Sequence, residues 1–218
     1  MKAPGGLALR IQFDTPEQQR AAAQAGTWAF LATEVLMFGA LLTAWAVYRA
    51  WYGDAFALAS NRMDVVVGTL NTGILLTSSL MMALAVTSAE RGRRSATSIF
   101  LVGTILLGAT FLVMKGMEYL HHYHLGEMPG FNWRYEGREA PHVEMFFVFY
   151  YVVTGLHAIH MIVGLGLLLV LLVRTWMGRF TEQYSTPVEM TGIYWHFVDI
   201  VWVFLFPLFY LIGRHGTV

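Results

Sequence analysis

A chain of 218 residues that is 56% hydrophobic and only 13% charged is too apolar for an ordinary water-soluble domain. Its 14 basic and 14 acidic side chains cancel and are spread thinly, which leaves no electrostatic footprint for nucleic acid. There is no cysteine, so disulfides, thiolate copper centres and iron–sulfur clusters held by this chain are excluded, and a metal would need histidine or carboxylate.

Residues 1–25 mix Lys2, Arg10, Asp14, Glu17 and Arg20 without an apolar core, unlike a cleaved signal peptide. They predict a short cytoplasmic arm ahead of a membrane domain over 26–218. Five apolar stretches follow, over 27–48, 64–88, 96–119, 144–173 and 189–213, each long enough for the ~20 residues a helix needs to cross hydrocarbon. They lack the alternation of barrel strands, so the fold class predicted is all-α, an integral membrane bundle of five transmembrane helices. Cytoplasmic loops carry the excess of Lys and Arg. Placing the turn of Arg91, Arg93 and Arg94 inside puts Lys2, Arg10, Arg20, Arg174 and Arg179 there too, eight of the 14 basic residues. The N-terminus is then cytoplasmic and the C-terminus outside, with the longest connection, 121–141, also outside.

Taken in chain order, the polar residues inside these stretches carry the information, because an ionisable group in lipid costs at least ~2–3 kcal/mol and must be compensated. In the first stretch Glu34 lies about 10 Å past residue 27 at ~1.5 Å per residue. It is expected to be buried, either as a hydrogen-bonded packing residue or in a proton-linked role. Asn71, Thr72, Thr77, Ser78 and Ser79 give the second stretch a polar stripe that predicts contact with protein. In the third, Lys115 and Glu118 are three apart and expected to pair.

The fourth stretch places His157 and His160 on one face, where metal or haem ligation competes with hydrogen bonds that glue helices together; the second is favoured. Gly155, Gly164 and Gly166 in the same stretch would allow close backbone approach. The fifth repeats the device with His196 and Asp199, expected as a structural pair since no nucleophile motif or phosphate loop accompanies them. Pro207 is expected to kink or loosen that helix.

These stretches resemble subunit III of the cytochrome c and quinol oxidases. The resemblance rests on Thr33-Glu34-Val35-Leu36-Met37-Phe38, Leu70-Asn71-Thr72 and Glu118-Tyr119, and above all on Thr154-Gly155-Leu156-His157-Ala158-Ile159-His160 and Tyr194-Trp195-His196-Phe197-Val198-Asp199-Ile200-Val201-Trp202. It implies a non-catalytic subunit of a hetero-oligomeric haem–copper terminal oxidase in the bacterial cytoplasmic membrane. Haem and copper would sit in partner subunits, and this chain would pack against the catalytic subunit I, which reduces dioxygen to water and pumps protons.

By the same resemblance Glu34 matches the buried acid that reacts with carbodiimides, in a subunit that sustains proton uptake and slows turnover-linked inactivation. Family members also hold phospholipid in a cleft between their first two helices and the other five. Those two helices are missing here, as in the five-helix versions, so a complete cleft would need another subunit. Three other functions are compatible with these residues. One is a subunit-III-like companion of a nitric oxide reductase. Another is a membrane haem-b electron carrier ligated by His157, His160 and His196. A proton-coupled transporter using Glu34 and Asp199 ranks last, because five helices cannot form two equal inverted halves.

Overall fold

The computed structural model describes residues 12–178, 180 and 184–215, the side chains of 214 and 215 excepted. Residues 1–11 of the predicted arm, and Lys2, Arg10 and Arg179 of the charge count, lie outside the described residues. Within them the chain forms six α-helices: α1 (Pro16–Trp51), α2 (Gly53–Ser60), α3 (Val65–Glu90), α4 (Arg94–Leu125), α5 (Ala140–Trp176) and α6 (Thr186–Tyr210), followed by a 3₁₀ turn over Ile212–His215. Five of them, all but α2, are long and apolar enough to cross a membrane. The all-α bundle of five spans is therefore present, with α1, α4 and α5 reaching beyond the predicted stretches at both ends.

Local chemistry explains the differences in length. The first helix begins at Pro16 because Thr15 caps it, its hydroxyl accepting from the Gln18 amide at 3.2 Å, with proline at the first helical position. Its first turns are polar, so a search for apolar residues begins too late. The short α2 escaped prediction because eight residues cannot span a bilayer. It buries Ala55, Phe56, Ala59 and Ser60, and Ser60 donates to the Phe209 carbonyl at 2.9 Å. Asp64 opens α3, its carboxylate accepting from the amides of Val66 and Val67. Pro207 lies inside α6, which continues to Tyr210.

The helix α6 is the most buried of the five spans and α1 the least. Around α6 pack α3, α5 and, more loosely, α1; α4 closes the bundle against α3 and α5, and α2 lies on α5. Large apolar side chains such as Leu36, Val66, Ile99, Leu106 and Ile162 point outwards and are exposed, as a lipid-facing surface requires. Exposed threonines hide their hydroxyls in their own helix: Thr43, Thr77 and Thr110 donate to Gly39, Gly73 and Leu106 carbonyls at 2.7 to 2.8 Å.

Lipid tails are as apolar as leucine, so helices in a bilayer associate through close packing and hydrogen bonds. Trp195 and Trp202, seven apart and hence on one side of α6, supply both. Trp195 donates to Ser78 and Trp202 to Thr72, each at 3.1 Å, so part of the predicted polar stripe of α3 meets protein. Thr77 is exposed and does not. The Trp195 ring fills the space left by Gly108 on α4 and Gly164 on α5, where a Cβ would lie 2.7 and 2.9 Å from ring carbons. Of the three glycines singled out in the fourth stretch, only Gly164 makes such an approach; Gly166 has open space beside it and Gly155 only the Tyr119 hydroxyl at 3.9 Å.

Gly108→Ala and Gly164→Ala should each overpack this junction at a cost of ~1–3 kcal/mol. The measurement is the unfolding midpoint of the purified protein in mild detergent, which should fall for both and stay put for Gly116→Ala and Gly166→Ala. Equal behaviour of all four variants would contradict this packing.

Candidate functional site

Three groups of polar side chains are embedded in the bundle. The first joins α1 to α5: Glu34 Oε2 lies 2.9 Å from His160 Nε2, while His160 Nδ1 lies 2.8 Å from the Leu156 carbonyl. A carbonyl only accepts, so Nδ1 carries a hydrogen. The Nε2 contact then needs one more proton, held either by the carboxyl or by the ring, and in both cases the pair is neutral overall. Both side chains are largely enclosed, at 13% and 12% exposure. Phe38 covers the imidazole with ring centroids 5.4 Å apart, and Tyr194 donates to the His160 carbonyl at 3.0 Å. One turn away, a groove of about 450 Å³ runs between α1, α5 and α6, lined by Gly26, Phe30, Val163, Leu167, Met190 and Tyr194 among others.

The second group ties α4, α5 and α6 together. Lys115 donates to Glu118 Oε2 at 3.1 Å and to the hydroxyls of Tyr150 and Tyr210 at 2.8 Å each. Both tyrosines in turn donate to Glu118 Oε1, at 2.8 and 2.5 Å. All three ammonium hydrogens and both carboxylate oxygens are thus used, and the four side chains are buried. The ammonium also lies 4.7 to 5.5 Å from the ring centres of Tyr119, Tyr150, Trp202 and Tyr210. The two tyrosines were not anticipated from the sequence, since only the contact of three helices brings them to the ion pair.

The remaining singled-out residues are placed differently from the pairings expected. His157 and His160 do not share a partner: His157 turns inward between Phe111 and Trp202, and neither of its nitrogens has a hydrogen-bond partner among the described residues. His196 and Asp199 are not paired. The His196 Nδ1 lies 2.6 Å from the Ser79 hydroxyl of α3; the same hydroxyl is close enough to interact with Asp199, whose two oxygens are buried and make no hydrogen bond of ordinary geometry among the described residues. A hydroxyl supplied by a neighbouring helix captures the imidazole, an outcome that spacing along α6 alone does not contain. Asn71 is likewise buried with its amide unpartnered among the described residues. No group of three or more His, Asp or Glu side chains among the described residues is arranged to hold a metal ion.

The third group lies at the end of α4. Gly126 ends that helix in the left-handed conformation, with φ 75°, and turns the chain so that Glu127 comes back under it. The carboxylate, 1% exposed, accepts from Arg62 and contacts His122 Nδ1 at 2.6 Å. Arg62 also lies over the Tyr135 ring, and the Arg134 amide donates to the Gly126 carbonyl at 2.8 Å, so the long connection is fastened to the bundle. Burial pushes the Glu127 carboxyl up, but His122 and Arg62 together outweigh it and hold it below its ordinary value.

A family model described as cytochrome c oxidase subunit III matches residues 139–214, which include α5 and α6 with His157, His160, His196 and Asp199. The chain is 32% identical over 192 residues to "Cytochrome c oxidase subunit 3" of Alkalihalophilus pseudofirmus, covering 88% of this chain and 87% of that one. The chain belongs to the cytochrome c oxidase subunit III family. Similarity to family members extends to "Quinol oxidase subunit 3" of Bacillus spizizenii, 28% identical over 88% of this chain and 87% of that one. It extends also to "Heme-copper oxidase subunit I+III" of Aeropyrum pernix, 33% identical over 85% of this chain and 22% of that one. As a subunit III of the terminal oxidases, the chain is a multi-pass bacterial membrane protein.

The fastening of the α4–α5 connection in this subunit III should depend on pH. A carboxyl held below its ordinary 4.5 adds stability above that value and loses it as the pH falls through the lower folded value. Amide exchange over residues 126–139, corrected for intrinsic rates, should be slow at neutral pH and accelerate only below 4.5. Glu127→Gln should remove the acid step and speed exchange at neutral pH. A wild-type segment without an acid step would contradict the assignment.

Proposed function

We propose that this chain is the non-catalytic subunit III of a haem–copper terminal oxidase, supporting dioxygen reduction and proton pumping by the catalytic subunit through assembly, stability and sustained proton uptake. The observation that carries this most directly is the Glu34–His160 pair. It is an intramembrane acid and base sharing one proton at the less buried edge of the bundle, suited to holding a proton. The haem and copper centres belong to the partner subunits. Contact with a subunit I is supported by the Aeropyrum pernix relative, whose name, "Heme-copper oxidase subunit I+III", joins the two subunits.

In this reading the N-terminus lies on the cytoplasmic side, which the excess of Arg91, Arg93 and Arg94 in the α3–α4 turn supports. The groove beside Gly26 and Phe30 is the surface of this bundle that would take phospholipid in the family manner, with another subunit supplying the opposite wall.

Purification in mild detergent followed by mass spectrometry tests the assignment: a haem-bearing chain should travel with this one. A Soret band retained by the isolated chain and lost on His157→Ala, His160→Ala or His196→Ala would overturn it in favour of an electron-carrying cytochrome. Glu34→Gln keeps the size of the side chain and a hydrogen bond to His160 while removing the titratable group. Complex yield and haem spectra should be unchanged, and the effect should fall on turnover lifetime or proton coupling. Loss of haem signal in that variant would count against the role given to Glu34.

A further inference from the structure

On the face of the bundle away from Glu34, a cavity of about 300 Å³ opens between the first turn of α3 and the last turns of α4. Its rim, at the helix ends, is polar and includes Arg62, Asp64 and His121. Deeper, Val67 in the first turn of α3 and Glu118, Met117 and Met114, two to three turns inside α4, line it. The surrounding surface is apolar and exposed, with Val66 at 69%, Val113 at 62% and Met117 at 66%. The cavity therefore combines a polar rim at the level of the membrane interface with walls that continue into the lipid-facing surface. That is the profile of an amphiphile standing upright in the bilayer.

The charges of the rim select the headgroup. The Arg62 guanidinium spends its Nε and Nη2 edge on Glu127, and the inner carboxylate, Glu118, is matched by Lys115. Asp64 gives one oxygen to the amides of Val66 and Val67, and no cation among the described residues lies within ion-pair distance of it. The unbalanced charge at the mouth is thus negative, which disfavours an anionic lipid and favours an ammonium group. The remaining Nη1 edge of Arg62 and the exposed His121 offer donors to a neighbouring phosphate.

We propose that this cavity holds one membrane phospholipid with a zwitterionic, primary-ammonium headgroup. The ammonium sits on Asp64, the phosphate lies toward Arg62 and His121, and one acyl chain runs along Val67, Met114 and Met117. The site is separate from the groove between α1, α5 and α6 and does not depend on which respiratory complex contains the chain.

Native mass spectrometry of the intact complex that carries this chain, in mild detergent, counts bound phospholipid by class. Asp64→Asn preserves the helix cap while removing the charge, and it should lower the occupancy of one aminophospholipid ~5-fold. Phosphatidylcholine and phosphatidylglycerol counts should not change. Val67→Trp, which fills the cavity and leaves the charges alone, should remove the same lipid. Unchanged aminophospholipid in both variants would overturn the proposal, and selective loss of phosphatidylglycerol would overturn the headgroup assignment. A photoreactive benzoylphenylalanine replacing Met117 should label lipid. Labelling of a protein subunit instead would show that a partner covers this face and would equally overturn it.

Discussion

Hydrocarbon supplies no hydrogen-bond partners, so every polar group that five helices carry into the bilayer must find its complement within protein. The ion pair of Lys115 and Glu118 is where this constraint bears hardest. A buried charge pair is costly to desolvate and holds only if its remaining donors and acceptors are also satisfied. Tyr150 from α5 and Tyr210 from α6 complete the set, so the requirement of one charged pair on α4 fixes where two other helices must lie. The tryptophans of α6 extend the logic along the bundle, each giving its indole hydrogen to a hydroxyl of α3.

The same constraint separates the groups that stabilise from those free to act. Where a network is closed and buried, as around Lys115, moving a proton would unbalance several bonds at once. The Glu34–His160 pair is open by comparison, with one proton between two sites and partial exposure at the looser α1 edge. His157, Asp199 and Asn71 form a different class, buried polar groups that make no hydrogen bond of ordinary geometry among the described residues, Asp199 having only the Ser79 hydroxyl beside it. Such groups are expensive to keep. Their placement inside a bundle belonging to the subunit III family sets them apart from the packing residues around them.

The architecture was legible because membrane spans announce themselves by length and hydropathy, and the five expected match the five long apolar helices among the described residues. Their ends were less legible: Thr15 and Asp64 begin helices by capping, a local signal that a hydropathy scan passes over. The ion pair of Lys115 and Glu118 was readable from spacing, since both partners share a helix. The partners of Glu34, His160 and His196 were not, because each is supplied across a helix boundary whose register depends on the whole packing. Glu127 lay hidden for the same reason. Its partners are 5 and 65 residues away and meet only after Gly126 reverses the chain.

A double-mutant cycle on Lys115 and Glu118 tests most directly whether the embedded polar groups are retained because they compensate one another. Lys115→Met and Glu118→Leu, singly and together, would be followed by unfolding of the detergent-purified protein and by yield of the assembled complex. Each single change leaves a buried charge unmatched and should cost ~3–5 kcal/mol, while the double change should recover most of that loss. Additive losses, with the double variant as damaged as the sum of the two, would contradict the account.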